Sequence, residues 1–147
     1  HQAEVAASHL LFPNGSVLTP VCRTLFVAET FAAFLPAFPI EPSGRLSNRR
    51  IWAQLNGAVP DGICLDTVGG IWVASPTSQE CLRVRAGGEV TDRIKVEDEA
   101  FACMLGGENG RQLFILTAPS SVPKDCQQAR AGKIVCTEVE HARAGCP

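Results

Sequence analysis

Two short stretches place an oxygen-bearing side chain in the same local setting. Pro13-Asn14-Gly15 opens the run PNGSVL, and Pro60-Asp61-Gly62 opens PDGICL, with Asp61 forty-seven positions after Asn14. An amide oxygen and a carboxylate are hard donors of the kind that hold Ca²⁺, Mg²⁺ or Mn²⁺, and neither motif contains the histidine or thiolate that softer metals select. The same residues also suit an ordinary turn, because Asn, Asp and Gly tolerate unusual backbone angles. Both readings stand on the motifs alone. Glu29 and Ser75, at the ends of two later apolar runs, are further candidates for touching a substrate, against a second reading as solvated strand ends. Cys103 reads as a buried filler, because no histidine is in register to activate it. His1, His9 and His141 have no ligand spacing, GGENG at 106–110 lacks the lysine and helix of a phosphate loop, and no GxSxG elbow occurs.

The elements that must position Asn14 and Asp61 are strands. Short β-rich runs recur between Gly, Pro, Asn and Asp, and helical periodicity is scarce. RTLFVAE at 23–29, GGIWVAS at 69–75 and RQLFILT at 111–117 align on Phe26, Trp72 and Phe114, with periods of 46 and 42 residues. Each has an apolar strand before it (16–19, 63–66, 101–105) and another after it (around 37–40, 81–85, 133–139). A fourth strand follows in two units, at 49–55 and 92–96. Four strands per 40-odd residues predict an all-β chain of β-propeller blades. Pro36 and Pro39 remove ladder donors from the first unit's third strand, which predicts a bulge or a shortened strand there.

One unit over 1–147 is expected: a lone outer strand at 3–10, full blades at 13–56 and 60–98, and an incomplete blade at 99–140. Three blades are half of a six-bladed ring, since a ring needs about four to eight. The strand inventory points to completion by a second copy about a two-fold axis, each lending its first strand to the other, or by a missing N-terminal half. The first residue is His1 rather than Met, so a trimmed or partial product is expected.

Composition limits the partners. The hydrophobic fraction is 46%, the charged fraction 19% and the formal net charge −2, with basic residues single or in pairs such as Arg49–Arg50. That pattern reads as a solvated surface and excludes a nucleic-acid-binding face. The most apolar window, FAAFLPAFPI at 31–40, is short and broken by proline, so no membrane span and no leader are expected. Seven cysteines with no CxxC pair and no zinc spacing suit a reduced cytoplasm. A disulfide among Cys126, Cys136 and Cys146 is the alternative weighed for the C-terminal third.

The segments LLFPNGSVLTP…RTLFVAET, GAVPDGICLDTVGGIWVA and EAFACMLGGENGRQLFILTA together resemble the family of senescence marker protein, gluconolactonase and luciferin-regenerating enzyme, which includes regucalcin. The resemblance runs over nearly the whole chain and weakens after Pro119. It implies a six-bladed propeller with one divalent cation in its central channel, Ca²⁺ ahead of Mg²⁺, Mn²⁺ or Zn²⁺. It maps the family's Asn and Asp ligands to Asn14 and Asp61, and places the Glu ligand and a substrate-site Asn and Arg before residue 1. The implied activity is hydrolysis of a small lactone or ester, with the cation polarising the carbonyl and Asp61 as the catalytic proton acceptor. Val21–Cys22, where an Asp-Gly turn is usual, and FLPAFPI depart from the family pattern. They leave a non-catalytic, degenerate half-propeller serving as a binding or assembly module as the alternative.

Overall fold

The computed structural model describes residues 2–145. Its order is β1 (Pro13–Leu18), β2 (Thr24–Glu29), a 3-10 turn (Thr30–Ala32), β3 (Phe34–Pro39), β4 (Arg50–Gln54), β5 (Ile63–Leu65), β6 (Ile71–Ser75), β7 (Glu80–Val84), β8 (Val90–Lys95), β9 (Glu99–Gly106), β10 (Gln112–Ala118), α1 (Pro123–Ala129) and β11 (Lys133–Glu138). The strands form three antiparallel sheets in sequence order: β1-β2-β3-β4, β5-β6-β7-β8 and β9-β10-β11. Two sheets of four and one of three is the inventory the repeat predicts. No helix among the described residues is long and apolar enough to cross a membrane.

The middle sheet is covered on both faces, and its sequence shows why. Ile71 and Val73 of β6 pack with Phe26, Leu35 and Ala53 of the first sheet, while Trp72 and Ala74 pack with Cys103, Leu113 and Ile115 of the third. With successive side chains buried on opposite sides, β6 and β7 are buried along their whole length, and the two charged residues of β7, Glu80 and Arg83, are paired. Each large side chain buried in this way contributes about 1.5–3 kcal/mol. In β10 burial alternates instead, because only one face of the third sheet meets a neighbour.

Charge inside this core is paired. Asp66, at the end of β5, accepts the Val68 and Gly70 N–H groups at 3.0 and 2.9 Å and holds Arg83 Nε at 2.7 Å. It fixes the β5–β6 turn, where Gly69 takes φ +80 and no other residue type would sit without strain.

Several expectations are corrected or refined. Residues 3–10 form no strand: they run mostly exposed, and no strand among the described residues lies beside them to share a ladder. Pro36 and Pro39 do not shorten β3. It keeps six residues and slips register against β4 between Leu35 and Pro36, the bulge that a missing donor demands. Arg49 lies at the surface as expected, but it also pairs with the buried Glu29 carboxylate. The helix α1 was not legible as a helix; it has Pro123 at its first position and ends at Arg130, whose N–H reaches Cys126 O at 3.0 Å. Cys126 and Cys136 are free thiols, and Cys146 lies outside the described residues, as does His1.

The innermost strands β1, β5 and β9 abut through glycine. Gly15 N–H donates to Asp61 O at 3.1 Å and Gly62 N–H to Phe101 O at 2.9 Å. A methyl group on Gly15 would lie 2.7 Å from Ile63 N, and one on Gly62 would lie 2.7 Å from Ala102 Cα. Backbone on both sides leaves nothing able to give way. Gly62→Ala is therefore expected to destabilise the protein by about 2 kcal/mol in urea unfolding. Gly132→Ala, whose methyl would meet only Thr117 O at 3.7 Å, should stay within about 0.5 kcal/mol of the parent.

Candidate metal and substrate site

Asn14 and Asp61 sit at bulges. Pro13 pairs with Glu29 and Ser16 with Val27, so Asn14 and Gly15 together oppose Ala28. In the second sheet Asp61 N–H donates to Ala74 O at 3.0 Å, while Ala74 N–H donates to Gly62 O at 2.9 Å. Asp61 and Gly62 thus share one partner, Ala74. In the third sheet Ala102 pairs with Leu116 and Ala100 with Thr117, leaving Phe101 as the extra residue. The three inner strands bulge at one equivalent place. A bulge bends the strand and re-aims a side chain, and here it re-aims Asn14, Asp61 and Phe101 at the same end of the molecule.

The first two residues meet. The Asn14 amide and the Gly62 N–H lie close to the Asp61 carboxyl, and both favour its charged form. Burial acts the other way and is the larger effect, so the Asp61 carboxyl is pushed above its usual range. Asn14 is exposed and Asp61 half-buried. Beyond this pair a mainly apolar cavity of about 460 Å³ runs along Ser16–Leu18 of β1, Ile63–Leu65 of β5 and Met104–Leu105 of β9. Residues 143–145 line its far end, where Ala144 N–H donates to Leu65 O at 2.9 Å.

Glu29 and Ser75 are in none of the positions a substrate could touch; both are fully buried. Glu29 accepts the Leu11 N–H at 2.8 Å and pairs with Arg49, which itself donates to His9 O at 3.2 Å. Ser75 accepts the Val59 N–H at 3.1 Å and the Ser78 hydroxyl at 2.8 Å. The two residues end equivalent strands and do equivalent work, each fastening the loop that leads into its sheet's bulge. They are positioning residues. Arg49 and Phe101 went unrecognised in the sequence, although laying NGSVL over DGICL and FACML brings Phe101 directly under Asn14 and Asp61.

A hard divalent cation suits the donors present. The Asn14 amide oxygen and the Asp61 carboxylate are the two hard donors that the bulges bring close together. Two protein oxygens are nonetheless fewer than the about six to eight ligands Ca²⁺ takes. Among the described residues no group of three or more His, Cys, Asp or Glu side chains is placed to hold a metal ion.

Three antiparallel sheets in sequence order, with first strands that line one cavity and an Asn–Asp pair on adjacent bulges, define a class. Residues 1–119 match the family profile of the SMP-30/Gluconolactonase/LRE-like region, and the chain belongs to that family. It is 27% identical over 122 residues to 6-deoxy-6-sulfogluconolactonase of Pseudomonas putida, covering 80% of this chain and 42% of that protein. Human regucalcin is 29% identical over 119 residues, covering 76% and 40%. Among solved structures, a luciferin-regenerating enzyme superposes with TM-score 0.77 at 17% identity, covering 94% of this chain and 48% of that one. A gluconolactonase from Xanthomonas campestris superposes with TM-score 0.66 at 28% identity, covering 76% and 37%. The chain thus spans less than half the length of these relatives. The match ends at residue 119, before α1 and β11.

The raised Asp61 pKa fixes the sign of a pH effect. The folded state holds the Asp61 proton more tightly than the unfolded chain, so its contribution to stability is full below about pH 4 and is lost as pH rises through the folded value. In metal-free buffer Asp61→Asn should therefore raise the thermal midpoint at pH 7. The gain should shrink to nothing as pH falls below the carboxylate range, read by melts across pH.

Proposed function

We propose that the chain carries part of the active site of a divalent-metal-dependent lactone or ester hydrolase. The observation that carries this reading is the closeness of Asn14 and Asp61 on adjacent bulges, two residues before the stretches that line a shared cavity. The family, with a sulfogluconolactonase and a gluconolactonase among the relatives, supports a small lactone as substrate. A calcium-binding regucalcin from Agrobacterium tumefaciens among the similar structures supports Ca²⁺ ahead of Mg²⁺, Mn²⁺ or Zn²⁺.

Asn14 and Asp61 would hold the cation through their side-chain oxygens. When bound, the cation supplies a Lewis acid that polarises the carbonyl and steadies the negative charge developing on its oxygen. Asp61 would accept a proton from the water that attacks that carbonyl. Asn14, beside Asp61, favours the charged carboxylate. Glu29 and Ser75 hold the two approach loops still, which keeps the oxygens at a fixed separation.

The ring is the second part of the reading. Three sheets around one cavity amount to half of a six-bladed propeller. Leu18 on the first sheet's open side, and Met104, Leu116 and Ile134 on the third's, are exposed apolar residues awaiting neighbours. Three further blades, from a second copy or from additional chain, would cover them and bring the remaining ligands. Six free cysteines among the described residues suit a cytoplasmic setting. The competing reading is a non-catalytic binding module, favoured by Phe101, which offers no oxygen at the third strand's equivalent position.

The test is a lactone hydrolysis assay of the full chain with added Ca²⁺, Mg²⁺ or Mn²⁺, beside light scattering for its mass. Metal-dependent turnover that falls by about 10²-fold or more in Asp61→Ala is the expected result. Equal rates, or none in either protein, would favour the binding module.

A further inference from the structure

Phe101 completes a row. It bears the same relation to Asp61 that Asp61 bears to Asn14: Gly15 N–H donates to Asp61 O, and Gly62 N–H donates to Phe101 O. It is the extra residue of its strand's bulge, as the Asn14–Gly15 and Asp61–Gly62 pairs are of theirs. The third inner strand therefore presents a half-buried aromatic ring at the position where the other two present oxygens.

The rim nearby is aromatic too. Phe12, two residues before Asn14, lies against Phe31 with ring centroids 4.8 Å apart. The two remain 55% and 74% exposed, and Phe12 adopts φ +60, a conformation that disfavours a bulky side chain. Backbone bonds from Thr30 N–H to Phe12 O and from Phe31 N–H to Leu11 O hold this pair at the Asn14 end of the first sheet. A polyhydroxylated ring packed on these faces would lose hydrogen bonds to water without replacement, whereas an alkyl or aryl group would gain burial.

We propose that Phe101 sets the substrate class, selecting lactones or esters with an apolar substituent next to the carbonyl over polyhydroxylated sugar lactones. This rests on the hydrolase reading only for the word substrate; the apolar wall is a property of the Asn14–Asp61 end whatever happens to the bound molecule. Phe101 acts as a specificity residue by contact with that substituent, with Phe12 and Phe31 extending the surface.

The experiment uses two non-hydrolysable probes, a pentyl-substituted δ-valerolactam and gluconolactam, titrated calorimetrically into the full chain with excess Ca²⁺. The pentyl lactam is expected to bind about tenfold or more tightly than gluconolactam, an advantage lost in Phe101→Asn and kept in Phe101→Leu. Phe101→Leu retains an apolar filler, so it stays informative if Phe101→Asn fails to fold, which a parallel thermal melt reports. Equal or tighter binding of gluconolactam, no binding of either lactam, or loss of the preference in Phe101→Leu would overturn the proposal. Hydrolysis of the matching lactones separates the two readings. Phe101-dependent binding of the pentyl lactam without turnover of either lactone would uphold the apolar wall and overturn the hydrolase.

Discussion

Everything at the site depends on how closely three inner strands can approach. Gly15 touches the backbone of β5 and Gly62 that of β9, and at both contacts a side chain as small as a methyl would collide with main-chain atoms. That approach lets an N–H of one sheet bond to a carbonyl of the next. It also brings the bulge of each sheet within reach of its neighbour. Asn14 reaches the Asp61 carboxyl because the backbones beneath them are in contact. A wider spacing would leave two unconnected turns.

The second dependence is the middle sheet. Its strands are buried on both faces, so it links two cores into one body and holds the first and third sheets in fixed relation. The Asp66–Arg83 pair lies at the opposite end of this sheet from Asp61. Fully buried charge of this kind is tolerated only with its bonds made, and breaking such a pair is costly. Rigidity at that end and glycine contact at the other leave the bulges little freedom, which suits a site whose parts come from different sheets.

Much of this was legible in the sequence. The repeat aligned on Phe26, Trp72 and Phe114 recovers the order of the strands, because strand periodicity and glycine-rich turns are local signals. Asn14 and Asp61 could be paired for the same reason. What escaped was non-local. Glu29 reads as a strand end until Arg49, twenty residues on, and the Leu11 N–H are brought to it. Ser75 reads likewise until Val59 arrives. The bulges were hidden because one extra residue changes the ladder and not the composition. Residues 3–10 have strand-forming residues, but a strand exists only where another edge receives it.

The central claim is that Asn14 and Asp61 form one cation site. The most direct measurement is paramagnetic line broadening by Mn²⁺, followed residue by residue in amide NMR spectra of the isotopically labelled chain. The Gly15 and Gly62 amide signals should broaden first and together, while those of Val68 and Gly70 at the opposite end stay sharp. Broadening centred instead on the neighbouring Glu97 and Asp98 carboxylates, or spread evenly over the carboxylates, would contradict the claim.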